Sequence, residues 1–253
     1  IAVIVISAHA GLEVNTRRMF RLAQANKMPI ALIVNKIDAE NVDIERLLGQ
    51  ITETFGQACK PMNLPANGNT SVIDCFANKE GSSDLGDVAG ARTELIDNIV
   101  EADEDLMEAY LGDEELTAVQ LSNAMSKAMI AGTVIPILFT AAKSDIGVTE
   151  AMDAIAKFFP SPANCPGRPV MNGEGEDAEE IEVSADPEKP LIAQVFKITS
   201  DPFVGKLGWI RIRQGTVTPD STYYLGDGKK PAKVGHLYKV LGKDSNDTKS
   251  AVA

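Results

Sequence analysis

Three nearly uninterrupted apolar runs decide what this chain can fold into. IAVIVI stands at residues 1–6, IALIV at 30–34 and TVIPILFT at 133–140. Each has the length of a strand, and a strand without polar alternation needs cover on both faces. None approaches the roughly 20 residues that a membrane helix requires. Between the runs, Met19, Phe20, Leu22 and Ala23, then Ile44, Leu47, Leu48, Ile51 and Phe55, recur at helical spacing. Strand and helix in alternation predict an α/β domain built on a doubly wound parallel sheet.

The middle of the chain is less regular. Pro61, Pro65, Gly68 and Gly81 break residues 57–86, leaving SVIDCFA as one short strand. A long acidic helix is expected from about 88 to 110, with Leu95, Ile96, Ile99, Leu106 and Tyr110 on one side. Further helices are expected over 116–130 and 148–159. The character changes after Pro160. SPANCPGRP and the acidic stretch behind it read as a linker over 161–189. From 190 to 253 short β-branched strands are broken by DPFVG, RQG, TPDS and GDGKK, the pattern of an all-β module that starts a barrel. The chain opens at Ile1 without an initiating Met, a basic leader or a cleavage site, so it reads as a piece of something longer.

Charge is spread unevenly. The 36 acidic residues outnumber 24 basic ones, for a net charge of −12. Yet residues 190–253 hold ten basic and five acidic side chains, whereas 80–115 hold thirteen acids and a single base, Arg92. Net acidity argues against nucleic-acid binding over the whole surface, and the basic C-terminal part is the candidate for meeting a polyanion. Cys59, Cys75 and Cys165 form no CxxC pair and read as reduced thiols of a cytoplasmic protein. With only two histidines, no metal site is expected.

The residues that carry chemistry are Asn35, Lys36 and Asp38, in NKID directly after IALIV. In an open parallel sheet, ligands bind beyond the carboxyl ends of the strands. Asp38 suits guanine: its carboxylate accepts from the ring N1–H and the 2-amino group together, and adenine offers neither donor. Asn35 can donate to N7, and the stem of Lys36 can lie along the base. Three fixed residues in a four-residue window recur by chance in roughly one chain of this length in thirty, so the position after a buried strand carries much of the weight. A second loop follows TVIPILFT. There Thr140, Ala141 and Ala142 precede Lys143, and a backbone N–H of Ala141 or Ala142 is placed to meet guanine O6.

These motifs together resemble elongation factor G, entered part-way through its GTPase domain. NKID is similar to the family's guanine-specificity motif and TAAK to its later guanine loop. ISAHAGLEVNTRRMFRLA resembles the segment after the second switch, VEADEDLMEAYLGDEELT one of the family's helices, and FFPSPANCP its exit from the GTPase domain. KITSDPFVGKLGWIRIRQG is similar to the opening of the second, β-barrel domain. The resemblance implies an α/β, P-loop GTPase-type sheet over 1–160 with an inserted helical subdomain at about 41–130, then the linker, then domain II from 190. It implies GTP or GDP as ligand, with Mg²⁺, and the ribosome as partner, with tRNA and mRNA met indirectly, by a cytoplasmic monomer without membrane contact. The chain contains no GxxxxGK[ST] loop, and its DxxG string, DVAG at 87–90, falls at the start of the expected acidic helix rather than with such a loop, so the phosphate cradle and Mg²⁺ ligands are expected to lie outside this sequence. No catalytic residue is therefore assigned, and this stretch alone is expected not to hydrolyse GTP.

Other candidates are weighed against plainer readings. His9 after the first strand is assigned no chemistry. Glu101, Asp103, Glu104 and Asp105 at helical spacing read as a solvated face or a partner surface. Lys206, Trp209, Arg211 and Arg213 lie in the basic module, where strand alternation sets 209, 211 and 213 on one face as a possible RNA contact. Two functions remain open: a ribosome-dependent GTPase that drives translocation, or a ribosome-binding paralogue in recycling or protection with little GTP turnover.

Overall fold

The computed structural model describes the chain apart from residues 113–115, 163, 166–169, 174–177, 202–204 and 227–230. Its first unit, Ile1–Pro162, runs β1 (Ala2–Ser7), α1 (Val14–Ala25), β2 (Ile30–Asn35), α2 (Ile44–Phe55), β3 (Cys59–Pro61), β4 (Asn63–Ala66), β5 (Ser71–Asp74), β6 (Ser82–Ser83), β7 (Gly86–Asp87), α3 (Val88–Val100), α4 (Glu104–Leu111), α5 (Ala118–Ala131), β8 (Ile135–Thr140) and α6 (Val148–Phe158). The three apolar runs become β1, β2 and β8. They form, with β3, a parallel sheet in the order β1-β2-β8-β3.

Alternation along the strands feeds two cores. Leu32, Val34, Ile137 and Phe139 face Phe20 of α1 and Leu47, Ile51 and Phe55 of α2. Ala31 and Leu138 face the other way, onto Leu95 of α3, Met125 of α5 and Phe158 of α6. Both faces of β2 and β8 are thus covered, as continuous apolar strands require. Pro136 lies within β8 but before its pairing with β2, which starts at Leu32 opposite Ile137, so its missing N–H removes no bond on that side. Between β8 and α6, Gly147 has φ +68°, and a Cβ there would stand 2.4 Å from the Phe139 carbonyl oxygen. Only glycine fits that turn.

Several expectations need correction. The first apolar run is covered on one face only, since Val3 and Val5 of β1 are exposed. The acidic helix of 88–110 is two helices, α3 and α4. Asp103 divides them: its carboxylate caps α4 by accepting from Leu106 N at 3.4 Å and pairs with Lys127 Nζ of α5 at 2.6 Å. The strand SVIDCFA shortens to Ser71–Asp74, because the Asp74 carboxylate accepts from the Phe76 and Ala77 N–H groups at 2.7 and 3.0 Å and turns the chain. The segment 57–86 also holds more strand than its prolines indicate, including β3 at the sheet edge. Burial pushes the thiols of Cys59 and Cys75 up to about 12 and leaves them inert near neutral pH.

In the second unit, Ala163–Ala253, the regular elements among the described residues are all strands. It holds β9 (Val170–Asn172), β10 (Glu179–Ile181), β11 (Ile192–Asp201), β12 (Gly205–Gln214), β13 (Thr216–Val217), β14 (Thr222–Tyr223), β15 (Ala232–Lys233), β16 (Tyr238–Leu241), β17 (Asp244–Asp247) and β18 (Ala251–Val252). They pair antiparallel in twos: β9 with β10, β11 with β12, β13 with β18, β14 with β15 and β16 with β17. Among the described residues these pairs do not join into a closed barrel. The span expected as a linker contains β9 and β10. Residues 202–204 of DPFVG, 227–230 of GDGKK and much of SPANCPGRP lie outside the described residues.

Candidate functional site

The adjacent parallel strands β2 and β8 end side by side, with Asn35 opposite Thr140. The loops NKID and TAAK therefore leave the sheet at the same carboxyl edge. Asn35 ties them together. Its Oδ1 accepts from Lys36 N at 2.9 Å, from Ala142 N at 3.0 Å and from Thr140 Oγ1 at 3.3 Å, and its own carbonyl accepts from Ala8 N at 2.8 Å. Among the described residues its Nδ2 has no partner. Lys36 is exposed and holds φ +65°, a left-handed conformation that costs a non-glycine residue about 1–2 kcal/mol. The bond from its N–H to the Asn35 side chain holds it there. Ile37 is fully buried and donates its N–H to the Thr140 carbonyl at 3.2 Å, which fastens the loop between Lys36 and Asp38.

Asp38 is exposed at the edge, and its Oδ2 accepts a hydrogen bond from Ser144 Oγ. Ser144 is the site residue that sequence reasoning passed over: it belongs to the loop after TAAK, and nothing in its spacing marks it. The two alanines differ. Ala141 is buried, and its N–H donates to Ile146 O at 2.8 Å within a small bridge. Ala142 is exposed, with its N–H on Asn35. Neither N–H is idle, contrary to the simple expectation. The Lys143 N–H is without a partner among the described residues, while Ser144 N and Ile146 N both return to the Ala141 carbonyl, at 3.0 and 3.1 Å.

In the second unit, Trp209 pairs with Lys197 across β11 and β12, and the Lys197 ammonium lies 5.3 Å from the indole centroid. Trp209 Nε1 donates to Thr199 Oγ1 at 3.2 Å. Arg211, opposite Gln194, shares the Trp209 face. Arg213 does not follow by alternation. Ile192 pairs with Gln214 and Ala193 with Ile212, so Arg213 is the extra residue of a β-bulge. Lys206, three residues before Trp209 on the regular part of β12, falls on the opposite face. Lys197 takes its place beside the indole.

Among the described residues, no three His, Cys, Asp or Glu side chains gather to hold a metal ion. No helix is long and apolar enough to cross a membrane.

A parallel sheet whose central strands are covered on both faces, with two tied polar loops at its carboxyl edge, defines an open α/β domain of the ligand-binding type. The particular family follows from comparison. The elongation factor Tu GTP binding domain matches residues 1–161, and the chain belongs to that family. It is also similar to a crystal structure of a protein from Thermus thermophilus, at 28% identity and a TM-score of 0.76. That match covers 100% of this chain and 37% of the Thermus chain, so the present sequence spans little more than a third of that length.

Proposed function

We propose that the two tied loops read the base of a guanine nucleotide. The observation that carries this reading is Asn35 opposite Thr140, which brings NKID and TAAK to one edge with the Asn35 amide bonded to both. Asp38 has one oxygen oriented by Ser144 and keeps lone pairs for the N1–H and 2-amino donors of guanine. With adenine that carboxylate would be left without ring donors, which is how a polar site discriminates strongly. Asn35 Nδ2 serves N7, and the Lys36 stem covers one face of the base. The O6 contact falls to the Ala142 N–H, by exchange with Asn35 Oδ1, or to the idle Lys143 N–H beside it. Thr140 and Ala141 support that turn from inside.

Mg²⁺, which when bound with GTP neutralises phosphate charge, is left on this reading to residues outside NKID and TAAK. These loops address the base alone. At the level of the whole protein we read a cytoplasmic translation GTPase resembling elongation factor G, which acts on the ribosome to move tRNA and mRNA. On this reading residues 190–253 begin a barrel domain II, and the face of Lys197, Trp209 and Arg211 meets RNA phosphates and bases. Asp38→Asn tests the central claim. In the full-length protein it is expected to lower GTP affinity at least tenfold and to shift preference toward xanthosine triphosphate, measured by competition binding. Unchanged preference would remove NKID as the base reader.

A further inference from the structure

Asn63 stands in for a strand that the sheet lacks. β3 ends at Pro61, and Met62 N still donates to the Ile137 carbonyl at 2.8 Å. From Asn63 onward the backbone turns to pair with β5, opposite Asp74 at the first step. β8 continues past that point, and the outward edge of Phe139 would be bare. Instead the Phe139 N–H donates to Asn63 Oδ1 at 2.7 Å, and Asn63 Nδ2 donates to the Phe139 carbonyl at 3.1 Å. One side-chain amide thus satisfies both backbone groups of one residue. Asn63 is 1% exposed and among the few buried polar residues of this unit. Burying an amide is costly unless it is fully bonded, so its position is tightly determined.

The gripped residue immediately precedes the turn Thr140–Ala142. Its carbonyl also abuts Gly147, where the same loop returns into α6. On the other side of β8, Asn35 holds Thr140 and Ala142. We propose that Asn63 is a positioning residue for base specificity: it fixes the height of the Thr140–Ala142 turn against the Asp38 loop. It touches neither base nor phosphate. This inference rests on the guanine-reading assignment, and its test separates the two.

In the full-length protein, Asn63→Ala is compared with the parent for GDP, inosine diphosphate and 6-thioguanosine diphosphate. Inosine lacks only the 2-amino group, so it reports the Asp38 side. 6-Thioguanine replaces O6 with a larger, weaker sulfur acceptor and keeps both N1–H and the 2-amino group, so it reports the turn. The expected result is a loss of about fivefold in the preference for GDP over the 6-thio analogue, with preference over inosine unchanged within about twofold. An equal loss of affinity for all three would make Asn63 a purely structural residue and overturn the proposal. Asn63→Asp keeps the acceptor for the Phe139 N–H and the side-chain volume, and it carries the same comparison if the alanine variant does not fold. Asp38→Asn, run in parallel, distinguishes the failures. If it leaves the preference over xanthosine diphosphate intact, the base-reading assignment falls. If it shifts that preference while both Asn63 variants discriminate as the parent does, only the role of Asn63 falls.

Discussion

The two units spend their apolar residues differently. In Ile1–Pro162 nearly every apolar residue of β2 and β8 is buried between helical layers, and Leu32, Val34, Ile137 and Phe139 have no exposed surface. In Ala163–Ala253 the longest pair, β11 and β12, leaves Phe196 at 62% and Ile198 at 69% exposure, and only Val217 and Leu237 are buried among the described apolar residues. A strand covered on both sides has its register set by packing. A strand open on one side relies on backbone pairing and tolerates bulges, here at Phe196 and Arg213.

Truncation is the strongest way to break this contrast. Phe139→Ala removes a fully buried ring and is expected to destabilise the first unit by about 3–5 kcal/mol, whereas Phe196→Ala changes stability by under about 0.5 kcal/mol. Chemical denaturation followed by far-UV circular dichroism checks both. Glycine replacement comes next. Gly147→Ala meets the Phe139 carbonyl and a left-handed φ, for a loss of about 3 kcal/mol, while Gly242→Ala at φ +61° meets nothing within 4 Å and loses only about 1 kcal/mol. Equal losses at the two positions would show that local φ alone matters.

Acid titration gives the smallest effect. The hydrogen bond from Lys127 holds the Asp103 carboxyl below the ordinary carboxylate range. A lowered folded value contributes stability that is present above the usual value near 4 and is lost as pH falls through the folded one. Asp103→Ala also removes the α4 cap and is expected to cost about 1 kcal/mol at pH 7 and progressively less in acid. Asp220, lowered by Lys233 but fully on the surface, is expected to give no measurable change when replaced by alanine. A matching pH dependence for Asp220→Ala would erase the distinction.

How much of this was legible depends on what sets each element. β2 and β8 could be read because burial on both faces demands unbroken apolar runs, whereas β1 has such a run and buries only one face. NKID could be read because its residue types and its place after a strand coincide. Asp103 could not, since a cap inside a run of acids looks like one more solvated carboxylate. β3 and β4 were hidden by Pro61 and Pro65, which edge positions accept. Asn63 and Ser144 were invisible because each acts across the fold, on residues 76 and 106 positions away. Arg213 misled for the opposite reason: alternation is a local rule, and one inserted residue cancels it.

Trp209 is the single tryptophan of the chain, and it sits in the second unit against the Lys197 ammonium. Indole emission therefore watches the β11–β12 strand pair of the second unit. A fluorescence melt and a helix-sensitive melt follow different units, and their midpoints need not coincide even if each unit unfolds in one cooperative step.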